Sequence, residues 1–168
     1  MTNKKGVSWE SIQKMILTRV SDAMGKTRLG KDVVEKVQEH ITDDVYGAYS
    51  PREYLASGDF LESVISTNPE IAGNEVSITI KHDPQLMNMQ DPWYHQSVID
   101  GRDSRESLPE IIHEGKTYNL WRHDPSTHAY LQPRPYMKNT EEELKDTRKH
   151  VKDMVRYLRA MGLDAREG

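Results

Sequence analysis

The 168-residue chain contains no cysteine. Disulfides, thiolate zinc sites and a cysteine nucleophile are therefore excluded, and a reducing cytoplasm is compatible. No apolar run approaches the ~18 to 20 residues needed to span a bilayer, and the start "MTNKKGVSWES" lacks the apolar core of a secretory signal. The expectation is a soluble protein with no membrane partner. Also missing are a glycine-rich loop of the Walker or dinucleotide type and a serine between glycines at a strand-to-helix turn. Phosphate-cradling and serine-hydrolase chemistry lose support accordingly.

What is present is charge. Charged residues make up 30% and the hydrophobic set 35%, polar for a globular chain yet sufficient for a core. Residues 1–40 carry 8 basic and 5 acidic side chains, 41–133 carry 6 and 15, and 134–168 carry 9 and 7. The middle is acidic and the ends are mildly basic. Such asymmetry is usually a solvated surface, and it can also tune the repulsion or sliding of a polyanion.

The length fits one domain, residues 1–168. Two amphipathic helices are predicted within 1–47. In the first, Trp9, Ile12, Ile16 and Val20 form a stripe, with Ser8 as N-cap and Gly25 past the end. In the second, over 31–47, Val33, Val34, Val37, Ile41 and Val45 recur at helical spacing. A β-hairpin is predicted over 57–82 from "GDFLESVIS" and "NEVSITIKH", and the length of "TNPEIAGN" argues against a tight two-residue turn. Residues 83–133 read as a long irregular loop holding one short helix, "SLPEIIHEG", capped by Ser107 with Pro109 in its first turn; "TYNLW" offers a third strand. A C-terminal helix is predicted over 139–162, opened by a Thr140–Glu143 capping box. The fold class is α+β: a small antiparallel β-sheet packed with a long C-terminal helix, two N-terminal helices and a long loop.

Among chemistry-bearing residues, His113, Glu114, His123 and His128 define one alternative, a metal-dependent hydrolase. The spacing weighs against it. His123 and His128 are five apart across a proline, and neighbouring His113 and Glu114 point to different sides of a helix. Arg148, Lys149, Lys152, Arg156 and Arg159 define a second, a nucleic-acid-binding module on the last helix, in a chain that is acidic as a whole. Trp93, Tyr94, Tyr118, Trp121 and Tyr130 stand in the irregular region as loop anchors or as contacts for another subunit. Neither a catalytic group nor a cofactor or metal site is expected.

Three fragments, in order, are "SGDFLES" (Ser57, Gly58, Leu61, Glu62, Ser63), "IIHEG" (Ile111 to Glu114 and Gly115) and "RPYMKNT" (Arg134, Pro135, Tyr136 to Thr140). Together they resemble the tail-completion, or minor tail and neck, proteins of tailed bacteriophages. Those proteins have a Thr/Ser-Gly-x-Leu-x-x-Ser signature entering a hairpin, a later helix ending in Glu-x-Gly, and an Arg-Pro-Phe turn into the final helix. Here one extra residue separates Gly58 from Leu61, and Tyr136 stands where phenylalanine is usual. "YSPREY" is similar to a stretch in morphogenesis proteins of phages of Gram-positive bacteria. The resemblance covers about residues 31 to 162. It implies a virion protein assembled in the host cytoplasm as a ring of identical copies, a hexamer or a dodecamer. That ring joins the portal-side connector or head-closure protein to the tail terminator or tail tube protein. In such a ring the acidic middle acquires a role, an acidic lumen that repels the DNA backbone and lets genomic DNA pass without specific binding. The interface candidates the resemblance carries are Gly58, Leu61, Ser63, Glu114, Gly115, Arg134, Pro135 and Tyr136. Proline fixation of the arm before Thr140 lowers the entropy lost on docking to a neighbour.

Overall fold

A computed structural model describes residues 8–48, 58–87, 98–99, 102–115, 117–119, 128–130 and 132–168. They form two compact units, one of residues 1–34, 66–80 and 147–168, the other of residues 35–65 and 81–146. The α+β class holds, with small antiparallel two-stranded sheets beside helices. No helix among the described residues is long and apolar enough to cross a membrane.

In the first unit, helix α1 (Trp9–Met24) starts as the sequence indicates: the Ser8 side chain accepts a bond from the Ser11 N–H, and Gly25 follows the last turn. It packs on α6 (Lys149–Ala160) and on the hairpin of β2 (Glu70–Ala72) and β3 (Glu75–Ser77). Only part of the predicted stripe is covered. Ala23 is fully buried, while Trp9 stays 74% exposed and Ile16 39%. The β2–β3 pair corrects the reading of "TNPEIAGN" as a long connection. Ala72 pairs with Glu75, so only Gly73 and Asn74 make the turn, and Gly73 takes the φ of +61° that such a tight loop demands. The short strands had been hidden because only Ile71 and Val76 mark their apolar face.

Helix α2 (Leu29–His40) continues into a π-helical stretch, Ile41–Tyr46. In the second unit Val37, Ile41 and Val45 are its buried residues, as their spacing indicated. The segment "GDFLE" is not a strand. Gly58, at φ +85°, starts a one-turn helix α3 (Asp59–Glu62), closed when the Ser63 N–H bonds the Asp59 carbonyl at 2.8 Å. Strand β1 (Val64–Ser66) follows and pairs with β4 (Ile80–His82), so the predicted hairpin exists with shorter outer strands. A 3₁₀ turn, Pro84–Leu86, lies against α3.

Among the described residues of 83–133 there are more regular elements than expected. Strands β5 (Val98–Ile99) and β6 (Arg102–Asp103) pair and lead into α4 (Ser104–Glu114), and β7 (Thr117–Asn119) pairs with β8 (His128–Tyr130). Because β6 feeds α4 directly, the helix begins three residues before Ser107, which is not its cap, and Pro109 falls inside it. The third strand proposed from "TYNLW" is β7; Tyr118 and Tyr130 lie in β7 and β8. Trp93, Tyr94, Trp121, Ser57 and the "YSPRE" stretch lie outside the described residues.

The C-terminal helix is present as two successive helices, α5 (Tyr136–Thr147) and α6. Arg148 separates them at φ +50°, a left-handed conformation that costs a non-glycine residue roughly 1 to 2 kcal/mol. No capping box opens α5. The Pro135 carbonyl already accepts the Asn139 N–H at 2.9 Å, so the helix begins three residues before 139, and Thr140 is an interior residue whose hydroxyl donates to the Tyr136 carbonyl.

Candidate functional site

The three fragments singled out in the sequence converge in the second unit. Proline at 135 fixes the backbone ahead of α5 and delivers Tyr136, only 1% exposed, into the core. Arg134, just before it, is tied at both ends: its N–H bonds the Ile112 carbonyl of α4 at 2.9 Å, and its guanidinium donates to the Val45 carbonyl at 3.0 Å. Gly58 and α3 turn the chain so that Phe60 and Ser63 also point inward, 8% and 0% exposed. Leu61 is half-buried, and its carbonyl accepts from the Gln38 side chain at 3.1 Å. At the end of α4, Gly115 leaves the helix at φ +68°, a conformation glycine adopts without strain, while Glu114 is exposed.

His82, the last residue of β4, joins these pieces. Its Nδ1 is 2.6 Å from Ser63 Oγ, its Nε2 is 2.7 Å from the Tyr136 hydroxyl, and Ser63 Oγ is 2.7 Å from the Phe60 carbonyl. Counting protons orients the set. A carbonyl only accepts, so the single Ser63 proton goes to Phe60; Ser63 then accepts from Nδ1–H, which leaves Nε2 bare to accept from Tyr136. Three neutral bonds run in one direction and leave no polar atom of the trio unmatched, each contributing about 1 kcal/mol. Aromatic contacts close the cluster: Phe60 stacks on His82 with centroids 4.5 Å apart, and Tyr136 meets Phe60, His82 and His113 edge-on at 5.7, 5.8 and 6.1 Å. Burial pulls the His82 imidazole down to about 4 and pushes the Tyr136 phenol well above its ordinary range.

The Ser63–His82 spacing is that of a nucleophile and its base, but the proton direction is not. A general base must face the hydroxyl proton with a bare nitrogen, and here that proton is committed to a backbone carbonyl at a fully buried residue. The trio acts as a clasp for three chain segments.

A second polar cluster lies along α2, the π-helical stretch and α5. Lys36 Nζ is 2.7 Å from Glu143 and 2.6 Å from Glu39; His40 reaches Glu143 at 2.9 Å and Asp44 at 3.2 Å; the Asn139 amide donates to Asp44 at 2.8 Å. The Lys36 contact holds the Glu143 carboxyl below its usual range, and Glu143 in turn raises Lys36. Glu143, read from the sequence as a cap, is in fact the hub of this network.

Among the described residues no group of three or more histidines and carboxylates is placed to hold a metal. His113 faces Tyr136 instead of sharing a site with Glu114, and His123 lies outside the described residues, as do the surroundings of the His128 side chain. His82 went unnoticed in the sequence, though a signal was there. It continues the parity of Val76, Ile78 and Ile80 and so belongs on the inward face.

A family model described as YomN matches residues 8–160. The "SPbeta prophage-derived uncharacterized protein YomN" of Bacillus subtilis (strain 168) is 35% identical over 117 residues, 69% of this chain and 66% of that protein. The match thus spans slightly under two thirds of the relative's length. No solved structure matches the chain.

Proposed function

Because this chain belongs to the YomN family, we propose that it is a phage-related protein and, more narrowly, a structural component of a tailed-phage virion. In this reading it is a neck or tail-completion protein. Identical copies form a ring, of six or twelve, between the portal-side connector or head-closure protein and the tail terminator or tail tube protein. It makes and breaks no bonds, requires no cofactor, and lets genomic DNA pass an acidic lumen without specific binding.

The observation that carries the proposal is that fragments some seventy residues apart meet in one unit: the buried Ser63 and Tyr136 on His82, and Arg134, just before Tyr136, on the Ile112 carbonyl. The prophage relative supports the setting. The fragments that resemble tail-completion proteins are thus brought together in the core of the second unit. Arg134 and Pro135 anchor the arm that enters α5, and an arm held at its base loses less entropy when its outer surface docks to a neighbour.

Electron microscopy of particles made without the chain tests this. Filled heads and separate tails, with the neck density restored on complementation, are expected. Complete, infectious particles without the chain, or a purified monomer that turns over a substrate, would reject it.

A further inference from the structure

Charge is divided unevenly between the two units. The unit of residues 1–34, 66–80 and 147–168 has 13 basic and 8 acidic side chains, net +5; the other has 10 and 19, net −9. Each concentrates part of its excess on one helical line. On α6, Lys149, Lys152, Arg156 and Arg159 recur at three- and four-residue steps and are all exposed. At ~100° per residue they fall in a stripe about 80° wide and about 15 Å long. On α2 and its π-helical continuation, Glu35, Glu39 and Asp43 recur every four residues, also exposed, over about 12 Å.

We propose that the basic stripe of α6 in one copy docks on the Glu35, Glu39 and Asp43 stripe of the next copy. The inference rests on the ring reading and deepens it by naming the two surfaces. They are different surfaces on one chain, and in the head-to-tail form of the contact each copy offers its α6 to one neighbour and its acidic stripe to the other, which closes into a ring where the rotation between copies does. The lengths match to within one helical turn, and the signs oppose. Two of these charges have partners within the chain and still face solvent: Arg156 meets Asp153 at 2.9 Å and Asp32 at 3.8 Å yet its side chain stays 64% exposed, and Glu39 meets Lys36 yet stays 60% exposed.

A nucleic acid is the other polyanion that α6 would attract. It is disfavoured because it brings its charge to a chain already at −4 that carries a unit at −9, whereas a second copy supplies the acidic surface itself. A contact of this kind weakens as salt rises.

The test is a charge swap read by sedimentation velocity and native mass spectrometry on the full chain. One variant combines Lys149→Glu, Lys152→Glu and Arg159→Glu; the other combines Glu35→Lys, Glu39→Lys and Asp43→Lys. Circular dichroism and the thermal midpoint confirm folding, which new acids in the first turn of α6 favour. Wild-type protein should self-associate at low salt and lose at least about tenfold in affinity by roughly 0.5 M salt. Each variant alone should self-associate about tenfold or more weakly, since it faces itself with like charges. An equimolar mixture should regain wild-type assembly, because both the swapped and the original contacts are then complementary. Wild-type self-association in the separate variants overturns the inference, and so does a wild-type chain that stays monomeric at every salt concentration. A third overturning result is duplex DNA binding that the α6 variant loses while self-association is unchanged. Rings that persist in both variants leave the ring reading standing without these surfaces; rescued assembly of a chain that particles do not need leaves the contact standing without the neck role.

Discussion

His82 and His40 lie in the same unit and each engages both ring nitrogens, yet they stabilise it by opposite means. His82 is enclosed by Phe60 and Tyr136 and bonded only to neutral hydroxyls; His40 sits between two carboxylates at a partly wet edge, with Lys36 beside them. In the enclosed cluster nothing is charged, so the bonds are undiminished by ions and the penalty falls on any proton that arrives. In the open cluster charge is the source of attraction, and water and salt weaken it. The lesson is that buried polar contacts define the unit, while the ion network trims its surface.

Acid should expose the difference most. The unfolded His82 takes a proton as the pH falls through about 6.5, the ordinary value, whereas the folded imidazole resists until about 4. Its contribution is therefore complete above 6.5 and is lost progressively between 6.5 and about 4, up to about 3 kcal/mol. Urea unfolding across that window should show the decline, and His82→Gln should flatten it. An equal decline in the variant would assign the acid sensitivity elsewhere.

Removing one hydroxyl is the next largest effect. Tyr136→Phe keeps the ring contacts but leaves Nε2 of His82 without its donor, at a cost of roughly 1 to 3 kcal/mol by denaturant unfolding, unaltered by salt. A neutral result would show that the ring alone holds the clasp. The smallest effect belongs to the open network. Glu143→Gln removes the partner of both Lys36 and His40 and should cost no more than about 1 kcal/mol at low salt, vanishing near 1 M salt. A larger loss, indifferent to salt, would place Glu143 with the buried set.

These contrasts bear on what the sequence made legible. The α+β class, the Ser8 cap, the buried line of Val37, Ile41 and Val45 and the outer hairpin follow from local periodicity and capping, which a single chain displays openly. The tight Gly73–Asn74 hairpin was obscured because three-residue strands carry too few apolar positions to show alternation. The start of α5 was misplaced because Thr140 and Glu143 mimic a cap, while their real partners, the Tyr136 carbonyl and Lys36, are respectively four residues behind and far along the chain. Ser63 and Tyr136 could be named from their motifs; what links them could not. His82 reveals its role only once β4 brings it between them. The imidazole also supplies a partner for the Tyr136 hydroxyl.

The bond between His82 and Tyr136 spans 54 residues of sequence, and Ser63 lies 19 residues further back. During synthesis at roughly 5 to 20 residues per second, the hairpin base therefore waits some seconds for its closing tyrosine to leave the ribosome. Phe60 lacks that partner throughout the interval. The second unit completes this packing only after Tyr136 has been made.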